Sequence, residues 1–222
     1  MPLVLLLLAL LGCSRAAPEA TQPNTAAQLI AADSVARRHL VAVATLAPEI
    51  RQDVRYATSN NFTGEVLPGY GAAIVLLRRE AAEALGRVQA RLAAKGMGLK
   101  IWDGYRPVRA TLAMVAWCER TGQTKLLDDG YIARRSRHNQ GVAVDLTLVE
   151  LASGREFDMG TPFDEFSARS HTANAAGTVA VNRQLLVTAM AAEGFTNYVD
   201  EWWHFSYAVP NPEPYDLPLE RW

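Results

Sequence analysis

Two cysteines, Cys13 and Cys118, are all that this chain of 222 residues contains. That is too few for a disulfide framework, and no cysteine cluster exists of the kind that closes a structural zinc site. Histidine is scarce too, four in the whole chain, so each one has to be accounted for. Excess charge is missing: 22 basic residues against 23 acidic ones leave a formal net charge of -1. The basic residues are scattered, and neither nucleic acid nor an anionic membrane surface is indicated as a partner. There is no internal repeat and no regular βαβ alternation.

Long apolar runs are confined to the beginning. Residues 1–16 read MPLVLLLLALLGCSRA, a run of signal-peptide length and too short for a spanning helix. It ends in Leu10-Leu11-Gly12-Cys13, which resembles a bacterial lipobox with Cys13 as the residue lipidated after cleavage. No Lys or Arg precedes the run, and an ordinary secretory signal is the alternative. The expected organisation is a signal peptide over 1–13, a tether rich in Ala, Pro, Thr and Gln over 14–26, and one domain over 27–222. Such a chain is exported to the periplasm and meets the membrane only through its lipid anchor. Cys118 then lacks a partner, and its neighbours Ala113, Val115 and Trp117 mark it as a small buried apolar residue.

Periodicity supplies the elements. Residues 74–96 place Leu77, Ala81, Leu85, Val88 and Leu92 on one face and close at Gly96, which predicts a helix. A short strand, LKIWDGY, precedes a second helix from Pro107 to Gly122. VAVDLTLVEL reads as a strand with ASGRE as the following turn, NRQLLVTAMAAEG as a helix and WWHFSY as a closing strand. The mixture predicts an α+β fold with a small, mostly antiparallel sheet flanked by helices.

Chemistry concentrates in four stretches. In SRHNQGVAVD, residues 136–145, alternation puts Val142, Val144 and Leu146 on a core face and Ala143, Asp145 and Thr147 on the other. Gly141 allows a tight turn from His138 into the strand. In DEWWHFSY, Glu201 and His204 stand three apart at the start of an aromatic strand. His138, Asp145 and His204 can supply two imidazole nitrogens and one carboxylate oxygen, the donor number of a catalytic zinc with an open fourth position. Spacing alone fits ordinary hydrogen-bonded loop and strand residues better than a metal site. In WDGYRP, Arg106 is mounted before Pro107, suited to hold developing negative charge or, alternatively, to pair with Asp103 at the surface. The loop FDMGTPFDEFSARSHT carries Asp158, Asp164 and Glu165, which either receive a substrate ammonium or are solvated. His171 in that loop is expected near the surface and His39, beside Arg37 and Arg38, in solvent.

In this order the stretches resemble the D-Ala-D-Ala dipeptidases, the VanX-like zinc peptidases that share a fold with D-Ala-D-Ala carboxypeptidases and the hedgehog domain. The motifs are S-x-H-x-x-G-x-A-x-D, W-D-G-Y-R-P, M-G-x-x-F-D and E-W-W-H, and the likeness runs from about Val54 to Phe205. The resemblance implies one zinc ion on His138, Asp145 and His204, Glu201 as catalytic base and Arg106 as stabiliser of the tetrahedral intermediate. It also implies that Tyr56, Ser136 and Asp164 receive the free amino terminus of a small D,D-dipeptide. Two rival functions stand beside it: a zinc carboxypeptidase or endopeptidase on peptidoglycan stem peptides, and a non-catalytic cell-wall-binding lipoprotein.

Overall fold

The computed structural model describes residues 26–222. The leader, Cys13 and the tether up to residue 25 lie outside the described residues; residue 26, expected in the tether, already begins a helix. Among the described residues no helix is long and apolar enough to cross a membrane.

The chain opens with α1 (Ala26–His39), β1 (Leu40–Ala42), the short α2 (Val43–Leu46) and β2 (Arg51–Gln52). It continues through β3 (Leu76–Arg78), α3 (Arg79–Ala93), β4 (Met97–Asp103), α4 (Val108–Thr121) and the short α5 (Lys125–Asp128). The second half holds β5 (Ala143–Glu150), α6 (Gly177–Ala191), β6 (Phe195–Asn197) and β7 (His204–Tyr207). Five strands form one sheet in the order β2-β4-β5-β7-β6, antiparallel except for the β2-β4 edge, and β1 pairs with β3 apart from it. This is the α+β architecture expected.

The helix predicted from residue 74 starts five residues later. Leu76–Arg78 instead form β3, paired with β1 in the register Leu40↔Arg78. A fully apolar run satisfies a helix face and a buried strand equally well, and here its partner strand decides. Helix α3 then buries Ala81, Leu85, Val88 and Leu92 as the spacing predicts, and Ala82 and Ala84 with them. Pro107 caps α4 from just outside it, and Gly122 ends it in the left-handed conformation. Cys118 is fully buried on that helix.

Strand β5 lies at the centre of the sheet and is buried from Ala143 to Val149. Both faces of the strand are therefore buried, with Asp145 3% and Thr147 1% exposed, although Asp145 reaches the wall of a cavity. A carboxylate buried this deeply requires partners. Register supplies one of them: His204 of β7 lies opposite Asp145 with Nδ1 3.0 Å from its Oδ1, while Asp103 of β4, on the other side, is a second carboxylate.

The C-terminal segment runs back across the molecule. Tyr215 N–H donates to the Asn139 carbonyl at 2.8 Å and its own carbonyl accepts from Val108 N–H at 3.1 Å. Leu219 N–H donates to Gly69 at 2.8 Å, and Arg109 forks onto Asp216. His39 is exposed but not free of the protein: its Nδ1 lies 2.6 Å from the Tyr215 hydroxyl.

Candidate metal centre and active site

Three segments converge at the end of the central strands. The first is a 3-10 turn, Arg137–Gln140, which carries His138. Ser136 caps it by accepting from His138 N–H at 3.2 Å, while the Asn139 side chain accepts from Ser136 N–H at 3.1 Å. Gly141 then turns the chain into β5 with φ +68°, and a Cβ there would overlap the Leu40 side chain, so both conformation and space demand glycine. The second segment is β5 itself, presenting Asp145. The third is the β6–β7 turn with Glu201 and His204, where the Asn197 amide donates to the carbonyls of Glu201 at 3.2 Å and His204 at 3.0 Å.

The donor atoms meet closely. His138 Nε2 is 3.1 Å from His204 Nδ1 and 3.3 Å from Asp145 Oδ2, and His204 Nδ1 is 3.0 Å from Asp145 Oδ1. Donors about 2.0–2.1 Å from a tetrahedral centre stand roughly 3.3–3.4 Å apart, so this spacing fits one ion. The imidazoles are prepared for it. His138 Nδ1–H donates to the Gly104 carbonyl at 2.7 Å, which leaves the Nε2 lone pair facing inward. His204 Nε2 lies 3.5 Å from the Ser206 hydroxyl, leaving Nδ1 for the centre. Burial pushes the Asp145 carboxyl up, but His138 and His204 outweigh it and hold the group below the usual carboxylate range. Burial also holds the His204 imidazole neutral to lower pH, against the pull of Asp145. A deprotonated carboxylate and neutral imidazoles are the metal-binding forms. The described residues contain no other cluster of this kind.

Glu201 stands beside the donors, its Oε2 3.9 Å from His204 Nδ1. Burial, with Asp145 and Asp164 nearby, pushes its carboxyl well above the ordinary range. Arg106 is buried, and the surface ion pair with Asp103 proves to be an interior one: Nε and Nη2 donate to Asp103 Oδ2 at 2.9 and 2.8 Å. Burial opposes its charge, but Asp103 keeps the guanidinium protonated. From this mount Nη2 lies 3.8 Å from Asp145 Oδ2.

These groups line a cavity of ≈ 270 Å³ with Tyr56, Ser136, Asp164, Tyr131 and Tyr198. That is at the small end of ligand pockets, which run from about 300 Å³ upwards. Tyr56 donates to both oxygens of Asp164, at 3.1 and 3.2 Å. Asp164 has the left-handed φ of 63°, a conformation uncommon for any residue but glycine, and burial raises its carboxyl well above the usual range. Ser136 lines the same cavity, yet its hydroxyl is engaged in the cap and not with Tyr56 or Asp164. Asp158 and Glu165 are turned to the loop's own structure: Asp158 accepts from Gly160 N–H and Glu165 pairs with Arg169. His171 bonds Tyr131 at 3.0 Å and approaches Asp200 at 3.5 Å, away from the donors.

Residues 36–216 match the family described as D-ala-D-ala dipeptidase. The chain belongs to the D-ala-D-ala dipeptidase family. Among its relatives, the D-alanyl-D-alanine dipeptidase of Streptomyces coelicolor is 38% identical over 187 residues, covering 77% of this chain and 93% of that one. The D-alanyl-D-alanine dipeptidase of Enterococcus faecium is 36% identical over 77% of this chain and 93% of its own length. That of Escherichia coli K12 is 33% identical over 82% and 90%. A zinc-bound mutant of the vancomycin-resistance D,D-pentapeptidase VanY shares 19% identity over 60% of this chain and 72% of that chain, with a TM-score of 0.38.

Sequence reasoning treats Asp103 only as a rival partner for Arg106. In the dipeptidase fold it is an organiser: the Tyr70 hydroxyl donates to its other oxygen at 2.6 Å, and His138 Nδ1 lies 3.4 Å away. Its position in WDGYRP, three residues before Arg106, is the available signal. Asn139 and Asn197 carry no such signal, because their amides mainly hold backbone carbonyls, a role that no side-chain pattern marks.

Proposed function

We propose that this protein hydrolyses free D-alanyl-D-alanine to two D-alanines, using one zinc ion per chain on His138, Asp145 and His204. The observation that carries the reading is the convergence of those three donors with Glu201 and Arg106 in one small cavity of a family member. A zinc ion there supplies a Lewis acid and lowers the pKa of water towards about 7.

The chain's own groups account for the remaining chemistry. Glu201 takes a proton from the attacking water and returns it to the leaving amine, from its place beside His204. Arg106 faces the oxygen that gains charge, and Asp103 fixes its direction so that little reorganisation is needed. The Tyr56–Asp164 pair receives the ammonium of the first residue, and Ser136 lines the same space. An acylated amino end would bring no ammonium to this pair, which favours the free dipeptide over longer chains.

Turnover of D-Ala-D-Ala against its N-acylated analogue tests the reading. Preference for the acylated compound would establish a carboxypeptidase instead. Glu201→Gln should keep one zinc per chain and lose about a thousandfold or more in kcat; wild-type protein with neither zinc nor turnover would leave a binding module. The leader supports export and lipidation at Cys13, with salvage of released dipeptide in the periplasm as the role. Recovery of the enzyme from the cytoplasm with an unprocessed amino terminus would refute that placement.

A further inference from the structure

The arginines around the cavity are engaged, with one exception. Arg106 is held by Asp103. Arg134 pairs with Glu119 at 2.8 Å, and Arg137 donates through Nη2 to the Tyr207 carbonyl at 3.2 Å. Arg135 stands between the last two and lines the cavity, yet has no ion pair or hydrogen bond among the described residues. Its mount is fixed all the same. The next residue, Ser136, has extended backbone angles of -124° and 145° and caps the turn that carries His138.

A free dipeptide has two charged ends. In the dipeptidase reading the ammonium goes to Tyr56 and Asp164, and Arg106, already shared with Asp103, faces the oxyanion. The substrate's carboxylate is then without a partner. The acids of the cavity come from β5, from the loop after it and from the β6–β7 turn; its unengaged cation comes from the segment between α5 and the His138 turn. We infer that Arg135 is the specificity-determining residue that anchors the C-terminal carboxylate of the substrate, an inference that rests on the dipeptidase reading. A guanidinium fork matches a carboxylate bidentately. Because Arg135 is exposed, the anchor is moderate in strength and sensitive to salt.

The experiment compares D-Ala-D-Ala with its C-terminal amide on the zinc-loaded full chain. Wild-type enzyme should prefer the free acid, and the preference should narrow in 0.5 M salt, where screening length falls to only a few ångströms. In Arg135→Ala the KM for the acid should rise about tenfold, with a smaller change for the amide, so that the acid-to-amide ratio in kcat/KM collapses. Arg135→Lys should restore part of that ratio. An Arg135→Ala enzyme that keeps the wild-type ratio overturns the inference, even if its overall rate is lower. Wild-type enzyme that hydrolyses neither compound overturns the dipeptidase reading and the anchor with it.

Discussion

At the scale of single residues, the site depends on carboxylates that the fold treats unequally. Asp103 is fully buried and bonded to Tyr70 and Arg106, with His138 beside it. Asp103→Asn should destabilise the protein by about 3 kcal/mol in denaturant unfolding, because Arg106 is left with an uncompensated buried charge. It should also lower kcat or zinc affinity roughly 10–100-fold, measurable by turnover and metal titration. Asp164 gives the opposite sign. Its folded pKa is raised, by burial first and by Asp145 second, so the stability it contributes is full below about 3.9 and is lost as pH rises through the folded value. Asp164→Asn should therefore make the metal-free protein more stable than wild type near pH 7, with the gap closing towards pH 4, while KM for the dipeptide rises at least about tenfold. Asn tolerates the left-handed backbone at that position. Wild-type stability that does not depend on pH across this range would contradict the argument. The candidate metal donors drew notice because histidine is scarce and an Asp inside an apolar strand needs a reason, but the ordered companion motifs were what joined them into one site. Asp103 was half legible: its neighbour Arg106 drew notice, but the register that sets it against Asp145 is a long-range property.

At the scale of elements, the decisive piece is the turn between β6 and β7. Asn197 accepts from Thr172 at 2.6 Å and donates to the backbone of Glu201 and His204, so one side chain sets the path of both candidate site residues. Asn197→Ala should cost on the order of 1–3 kcal/mol and speed hydrogen exchange in residues 198–204, with weaker zinc binding. Unchanged exchange there would mean that the turn is held by other contacts. Helix α4, strand β5 and the closing strand β7 were readable from periodicity and from Pro107 and Gly122. The start of α3 was not, since Leu76–Leu77 fit a helix face until β1 arrives as a partner. Helix α6 begins at Gly177, five residues before its apolar pattern becomes informative. The fold class survives such errors because it follows from the sequence of element types.

At the scale of the whole molecule, Asp145, Asp164 and Glu201 line the cavity with Asp103 just behind them, and Arg106 is the one buried cation among them. A bound divalent ion offsets that imbalance. Zinc at about a hundredfold excess over its Kd should stabilise the protein by about 2.7 kcal/mol, or roughly 5–10 °C in melting temperature, reversed by a chelator. Melting that is indifferent to chelation would argue that the donors hold no ion in solution. The returning C-terminal segment adds a different consequence. All three candidate metal donors precede residue 205, but the turn bearing His138 is braced by Tyr215. One peptide-bond cleavage between 208 and 214 would leave all the donors in the protein and still loosen His138. The exposed connector at that point reads Val-Pro-Asn-Pro-Glu-Pro over residues 209–214. Alternating prolines stiffen the backbone and deny a protease the adaptable strand it needs. The connector is therefore expected to resist nicking, which limited proteolysis of the folded protein checks: cleavage at 208–214 ahead of other sites would contradict it.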